Sequence, residues 1–175
     1  MKRHNLRPLT TPWRWAAAGA LLGLLMALAV FAPARWLAAA VLSASRGQVQ
    51  LADARGTVWR GDARLLLSGG EGSRDAVALP GAVQWRLGLS GLGVAGEVTA
   101  DCCTSAPLRW RLSPQWGGAS LAWADGQSQW PAALLAGLGT PWNSLAPQGN
   151  LQLATRGLVI DWNAGRMTLA GQARL

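Results

Sequence analysis

The sequence predicts a mainly β protein: a single N-terminal transmembrane helix followed by a curved antiparallel β-sheet domain with one short helix. Three observations lead there. Residues 15–34 carry no charge and are bracketed by Arg14 and Arg35. After residue 47, apolar and polar residues alternate with a period of two in one segment after another. The joins between those segments are rich in Gly, Asn, Asp and Pro, the residues of tight turns.

The first element is a basic tail, residues 1–14. It holds Lys2, Arg3, Arg7 and Arg14, no acid, and His4, the only histidine of the chain. The apolar run of residues 15–34 follows. A helix rises about 1.5 Å per residue, so this run spans roughly 30 Å, the thickness of a bilayer's hydrocarbon core. Basic flanks stay in the cytoplasm, which puts the N-terminus inside and everything after the anchor in the periplasm. A cleaved secretory signal is the competing reading, with small residues near residues 30–32. The apolar run is long for a signal, and Pro33 sits just after the cut, so an uncleaved anchor is preferred.

Residues 35–47 form a juxtamembrane segment. The helix continues briefly through them, with Trp36 at head-group level, and Ser45, Arg46 and Gly47 end it. Residues 48–175 make the periplasmic β-rich domain. Trp59, Ala63, Leu65 and Leu67 oppose Arg60, Asp62 and Arg64. Val83, Trp85, Leu87 and Leu89 oppose Gln84 and Arg86. Leu108, Trp110 and Leu112 oppose Arg109 and Arg111. Leu151 and Leu153, then Leu158, Ile160 and Trp162, and finally Met167 and Leu169 continue the pattern. Strict alternation marks a strand with one buried and one wet face. Residues 49–53, 94–101 and 119–124 are weaker strand candidates. Asn163, Ala164 and Gly165 mark a hairpin. Pro131 and the glycines at 137 and 139 bracket the short helix, which could close the open end of a curved sheet.

Charge and composition exclude several functions. The formal charge is +8, but four of the sixteen basic residues lie in the tail. Twelve basic and eight acidic residues remain, scattered, with no run that nucleic acid would need. Gly91-Leu92-Gly93-Val94-Ala95-Gly96 matches the dinucleotide fingerprint in form only. A strand follows it, not a helix whose N-terminus would hold a pyrophosphate, so the glycines read as a loop or bulge. A near-repeat, Gln84-Trp85-Arg86-Leu87 and Arg109-Trp110-Arg111-Leu112, reads as two amphipathic strands built from the same residue types. No base lies near a nucleophile and no set of metal ligands is spaced for a site. The expectation is a non-enzyme with no catalytic, cofactor or metal residues.

Two features remain as candidate sites. Cys102 and Cys103 are adjacent, and outside the cytoplasm thiols tend to oxidise. A vicinal disulfide, pairing with other chains and two free thiols are the options. The chain also holds eleven tryptophans, most on apolar strand faces and so in packing. Trp116 and Trp142 lie in turn-like stretches and are the candidate exposed contacts with partners.

Three stretches carry a resemblance. They are Ala54-Arg55-Gly56-Thr57-Val58-Trp59-Arg60-Gly61-Asp62-Ala63, then Leu79-Pro80-Gly81-Ala82-Val83-Gln84-Trp85-Arg86-Leu87, then residues 130–149 from Trp130-Pro131 to Pro147-Gln148-Gly149. In this order, after one N-terminal anchor, they resemble the type II secretion system protein N family (general secretion pathway protein N). The resemblance implies an accessory subunit of the envelope machine that exports folded proteins from the periplasm of Gram-negative bacteria. Its partners would be other inner-membrane and periplasmic subunits, and it brings no catalytic residues. Members of the family are usually longer, with more β-rich sequence after the region matching residues 165–175. A truncated gene, a short variant and a fragment are all open readings of that difference. A second function fits the same topology: an anchored β-groove that binds or transfers envelope lipids.

Overall fold

The computed structural model describes residues 13–70, 73, 75–145 and 147–174. The basic residues at 2, 3 and 7, His4 and part of the Gly-rich turn at 68–72 lie outside the described residues. The chain falls into two units, divided between Ala32 and Pro33.

The first unit is helix α1, Trp13–Val30, with no buried residue. It is apolar on every side, so water leaves it no favourable face. Among the described residues it is the one helix long and apolar enough to cross a membrane. The apolar run therefore breaks near Pro33, whose ring cannot continue a helix.

The second unit opens with helix α2, Ala34–Ala44. Ala34, Leu37, Ala38, Val41 and Ser45 share one stripe and are its less exposed positions, while Trp36 points out. At its end the Gly47 N–H donates to the Leu42 carbonyl at 2.8 Å, with Arg46 and Gly47 at positive φ. So α2 is packed along the sheet through its stripe.

Among the described residues ten strands follow: β1 Val49–Gly56, β2 Arg60–Ser68, β3 Ala76–Ala78, β4 Val83–Ser90, β5 Gly93–Ala100, β6 Leu108–Gln115, β7 Gly118–Trp123, β8 Gly126–Pro131, β9 Asn150–Asn163 and β10 Arg166–Arg174. They form one open antiparallel sheet in the order β1-β2-β4-β5-β6-β7-β9-β10. β3 shares the β4 side of β2, and β8 shares the β7 side of β9. The expected mainly β fold is the one observed. The expected short helix is a 3-10 helix, Ala132–Leu138, followed by the single-turn helix α3, Trp142–Leu145. The sequence pattern left β3 and β8 unassigned. β8 ends on Trp130 and Pro131, which the sequence assigned to the helix start.

Two bulges interrupt the ladders. In β1, Asp53 and Ala54 face Ala63 alone, with Asp53 at φ 53°. In β9, Gly157 and Leu158 face Gly171. The predicted hairpin at 163–166 is present as a two-residue loop with Ala164 at φ 48° and Gly165 at φ 76°. Such loops match strand twist but need positive φ at both central residues, which disfavours alanine. Ala164→Gly is therefore expected to stabilise the protein by about 0.5–1 kcal/mol, net of glycine's extra chain entropy. A denaturant midpoint that falls instead would contradict the backbone geometry.

The core lies on one face of β1, β2, β4 and β5. One cluster joins Leu79, Val83, Ala100, Cys103 and Leu134, with Leu65, Leu67, Val77, Val98 and Trp130 around it. The 3-10 helix lies on β2 and β3 there. A Cβ on Gly137 would strike the Leu67 carbonyl, so only glycine allows that approach. The second cluster joins Ala34 of α2 to Ala63 and Trp85, flanked by Leu37, Leu51, Ala54 and Leu87.

Candidate partner-docking surface

Side chains of registered partners share a face, so the ladder sorts the whole sheet into two surfaces. On one surface the row Leu89, Val94, Leu112, Leu121, Ile160, Leu169 crosses six strands. Beside it runs Pro114, Ala119, Trp162, Met167. On the other surface run Arg86, Glu97, Arg109 and, further along, Ser113, Ser120, Asp161, Thr168. One face is apolar from β1 to β10; the other is polar.

The apolar face is covered on only one side of the sheet. α2 and the 3-10 helix close it over β1, β2 and the parts of β4 and β5 that carry Val83, Trp85, Leu87, Val98 and Ala100, while Leu89 near the end of β4 stays 78% exposed. Over β6, β7, β9 and β10 it is open, with Trp162 39%, Leu169 62% and Met167 63% exposed. Every described residue of β10 is exposed, and that strand has a neighbour on one side only. Scattered apolar residues on a surface need no explanation, but a contiguous strip across four strands is what an interaction surface looks like.

The polar face is held by weak forces. Glu97 sits 3.5 Å from both Arg86 and Arg109, all of them part-exposed. Exposed pairs of this kind contribute little. At the β1 bulge Arg64 clasps Asp53, its Nε donating to Oδ2 at 2.9 Å. The Arg64 hydrogen bond and charge hold the Asp53 carboxyl below its ordinary range and raise the Arg64 guanidinium. With its folded value depressed, the Asp53 contribution is present at neutral pH and is lost as pH falls through that value.

Cys102 and Cys103 are joined by a disulfide in the turn after β5. Cys103 is buried in the core cluster, and its carbonyl accepts from the Gln129 N–H at 2.8 Å. Thr104 bridges to Ser128. The turn therefore clips β8 to the covered half of the sheet. A cleft of about 530 Å³ beside it is lined by Gln127, Gln129 and Gln152 and by no charged residue. Among the described residues no group of three His, Cys, Asp or Glu is placed to hold a metal.

The two candidate tryptophans lie at different ends of the sheet. Trp116 is in the β6–β7 turn and 99% exposed. Trp142 opens α3, beyond the 3-10 helix, and is 41% exposed. Its neighbour Asn143 donates to Asp75 at 3.0 Å. The sequence reading missed Leu92, 96% exposed at the β4–β5 turn, because it treated the glycines around it as the feature.

A family model for protein N of the type II secretion system matches residues 47–175, the whole β-rich part from the end of α2. The chain belongs to this family. Neither the curated proteins nor the solved structures compared with it give a match. Membership carries an accessory role in type II secretion and an association with other components of that system. It fits the one-sided sheet, which offers surface to partners. The three stretches that carried the resemblance are also joined in space. The Trp85 indole, in the second, donates to the Val58 carbonyl of the first at 3.0 Å, and Leu134 of the third packs with Leu79 and Val83 of the second.

Proposed function

We propose that this protein is an accessory inner-membrane subunit of the type II secretion machinery. Its role is structural or in assembly, with no chemistry of its own, during export of folded proteins from the periplasm across the outer membrane. The N-terminus is cytoplasmic and the β domain periplasmic, as the basic flank at 2–14 favours. Helix α1 supplies the anchor, and α2 belongs to the periplasmic domain. The family match over residues 47–175 is the observation that carries this reading. The open apolar strip over β6, β7, β9 and β10 and Trp142 are the surfaces it offers to inner-membrane and periplasmic subunits.

Deleting the gene tests it. Specific folded exoproteins should accumulate in the periplasm, and a plasmid copy should restore their export to the medium. Unchanged export would remove the subunit reading.

The open strip also favours a second reading, an anchored β-groove that binds or transfers envelope lipids. The full chain in detergent should then take up a fluorescent fatty acid, and Leu169→Lys should abolish the uptake. A subunit that uses the strip for protein contacts should show no uptake.

A further inference from the structure

We infer that one end of the β sheet, tipped by Leu92 and Trp116, rests in the interfacial layer of a lipid bilayer. The inference deepens the inner-membrane reading above and rests on α1 being its anchor.

The antiparallel order puts four turns at the same end of the sheet: β1–β2, β4–β5, β6–β7 and β9–β10. Leu92 projects from the second of these and Trp116 from the third, 96% and 99% exposed. Neither supports the fold, since each gives almost no area to packing. On the apolar face next to these turns, Leu89 and Met167 are 78% and 63% exposed. Most exposed large apolar side chains of the described β sheet therefore gather at one end. The opposite end, where the 3-10 helix and the disulfide turn lie, is where the core closes.

Charge fits a lipid surface. The turns at 57–60, 90–93, 115–118 and 163–166 contain no acid and two bases, Arg60 and Arg166. Acidic tips would be repelled by anionic head groups, whereas an arginine is attracted. An indole with nothing to pack against favours the boundary between head groups and acyl chains.

The chain also enters the β unit at this end. Pro33, the first residue of the β unit, is bridged to Thr57 in the β1–β2 turn. Only Phe31 and Ala32 separate Pro33 from the last residue of α1. A stretch that short reaches no further than about 10 Å. The point where the chain enters the β unit thus belongs to the same end as the apolar tips. Trp116 becomes a lipid contact, and Trp142, at the far end, stays available to protein.

Spin labelling of the full chain in phosphatidylethanolamine–phosphatidylglycerol liposomes tests this. The two cysteines are bonded to each other, so one introduced cysteine is the sole free thiol. Labels are placed singly through Leu92→Cys, Trp116→Cys, Leu145→Cys and Leu22→Cys, and their access to oxygen and to a nickel chelate is compared. The labels at 92 and 116 should lie about 5–10 Å below the head-group surface, favouring oxygen over nickel. The label at 145 should report water, and that at 22 the bilayer core. If 92 and 116 report water while 22 reports lipid, the inference fails and the anchor stands. If 22 also reports water, the anchor reading fails and takes the inference with it. If 92 and 116 are shielded from both probes, a protein covers the tips and the inference is overturned.

Discussion

Trp85→Ala is expected to lower stability by about 3–5 kcal/mol, the cost of truncating a buried aromatic side chain. Trp85 is 5% exposed and holds three elements together. Its ring packs on Ala63 of β2 and on Ala34 of α2. Its Nε1 donates to the Val58 carbonyl at 3.0 Å and lies 3.3 Å from that of Thr57, so the β1–β2 turn hangs from it as well. A domain of this size is stable by only about 5–15 kcal/mol, so the loss is a large fraction of the whole. Trp85→Phe keeps most of the packing and removes the donor, and should cost less, about 1–3 kcal/mol for the orphaned carbonyls and lost volume. Guanidinium titration of the full chain in micelles, followed by circular dichroism of the strands, measures both. If Trp85→Ala shifts the midpoint no more than a surface substitution, the cluster under α2 does not hold the sheet. If Trp85→Phe costs as much as Trp85→Ala, the hydrogen bonds and not the packing are what matters.

Much of this architecture was legible in the residues, because period-two alternation is a local property. Val83, Trp85, Leu87 and Leu89 declare their face without any neighbour, as do Leu108, Trp110 and Leu112. The hairpin at 163–166 was equally local. What stayed hidden depends on register and on distant partners. Nothing in residues 34–44 says that their small stripe will lie on β1 and β2, so the stretch read as the tail of the anchor. β3 is three residues long, too short for alternation to register. Trp130 and Pro131 close a strand because β9 pairs with them, whereas alone they resemble a helix start. The open strip on β6–β10 was visible as strand faces, but whether a face is covered is decided by where α2 and the 3-10 helix land. The tip residues were half legible: Trp116 stood out in its turn, and Leu92 was lost among glycines.

The near-repeat at 84–87 and 109–112 gains a physical meaning from register. Trp85 is paired with Gly61 across β4 and β2, and Trp110 with Gly96 across β6 and β5. In both pairs the indole lies where the glycine's side chain would be. A Cβ on Gly61 would come within 2.5 Å of Trp85 Cζ2 and would also strike the Arg55 carbonyl. A Cβ on Gly96 would meet Trp110 Cε2 at 2.5 Å and Leu87 Cδ2 at 2.9 Å, side chains only. The two sites should therefore respond differently to the same change. Gly61→Ala is expected to cost about 3 kcal/mol, the upper end of overpacking, because backbone cannot move aside. Gly96→Ala should cost about 1 kcal/mol, because Trp110 is only half-buried and can swing away. Truncating Trp110 should remove that cost: in a Gly96→Ala, Trp110→Ala cycle the coupling should be about 1 kcal/mol, with the double variant more stable than the sum of its parts. An additive cycle would mean that the indole does not sit over Gly96. Equal costs at the two glycines would mean that the Arg55 carbonyl is not the obstacle at Gly61.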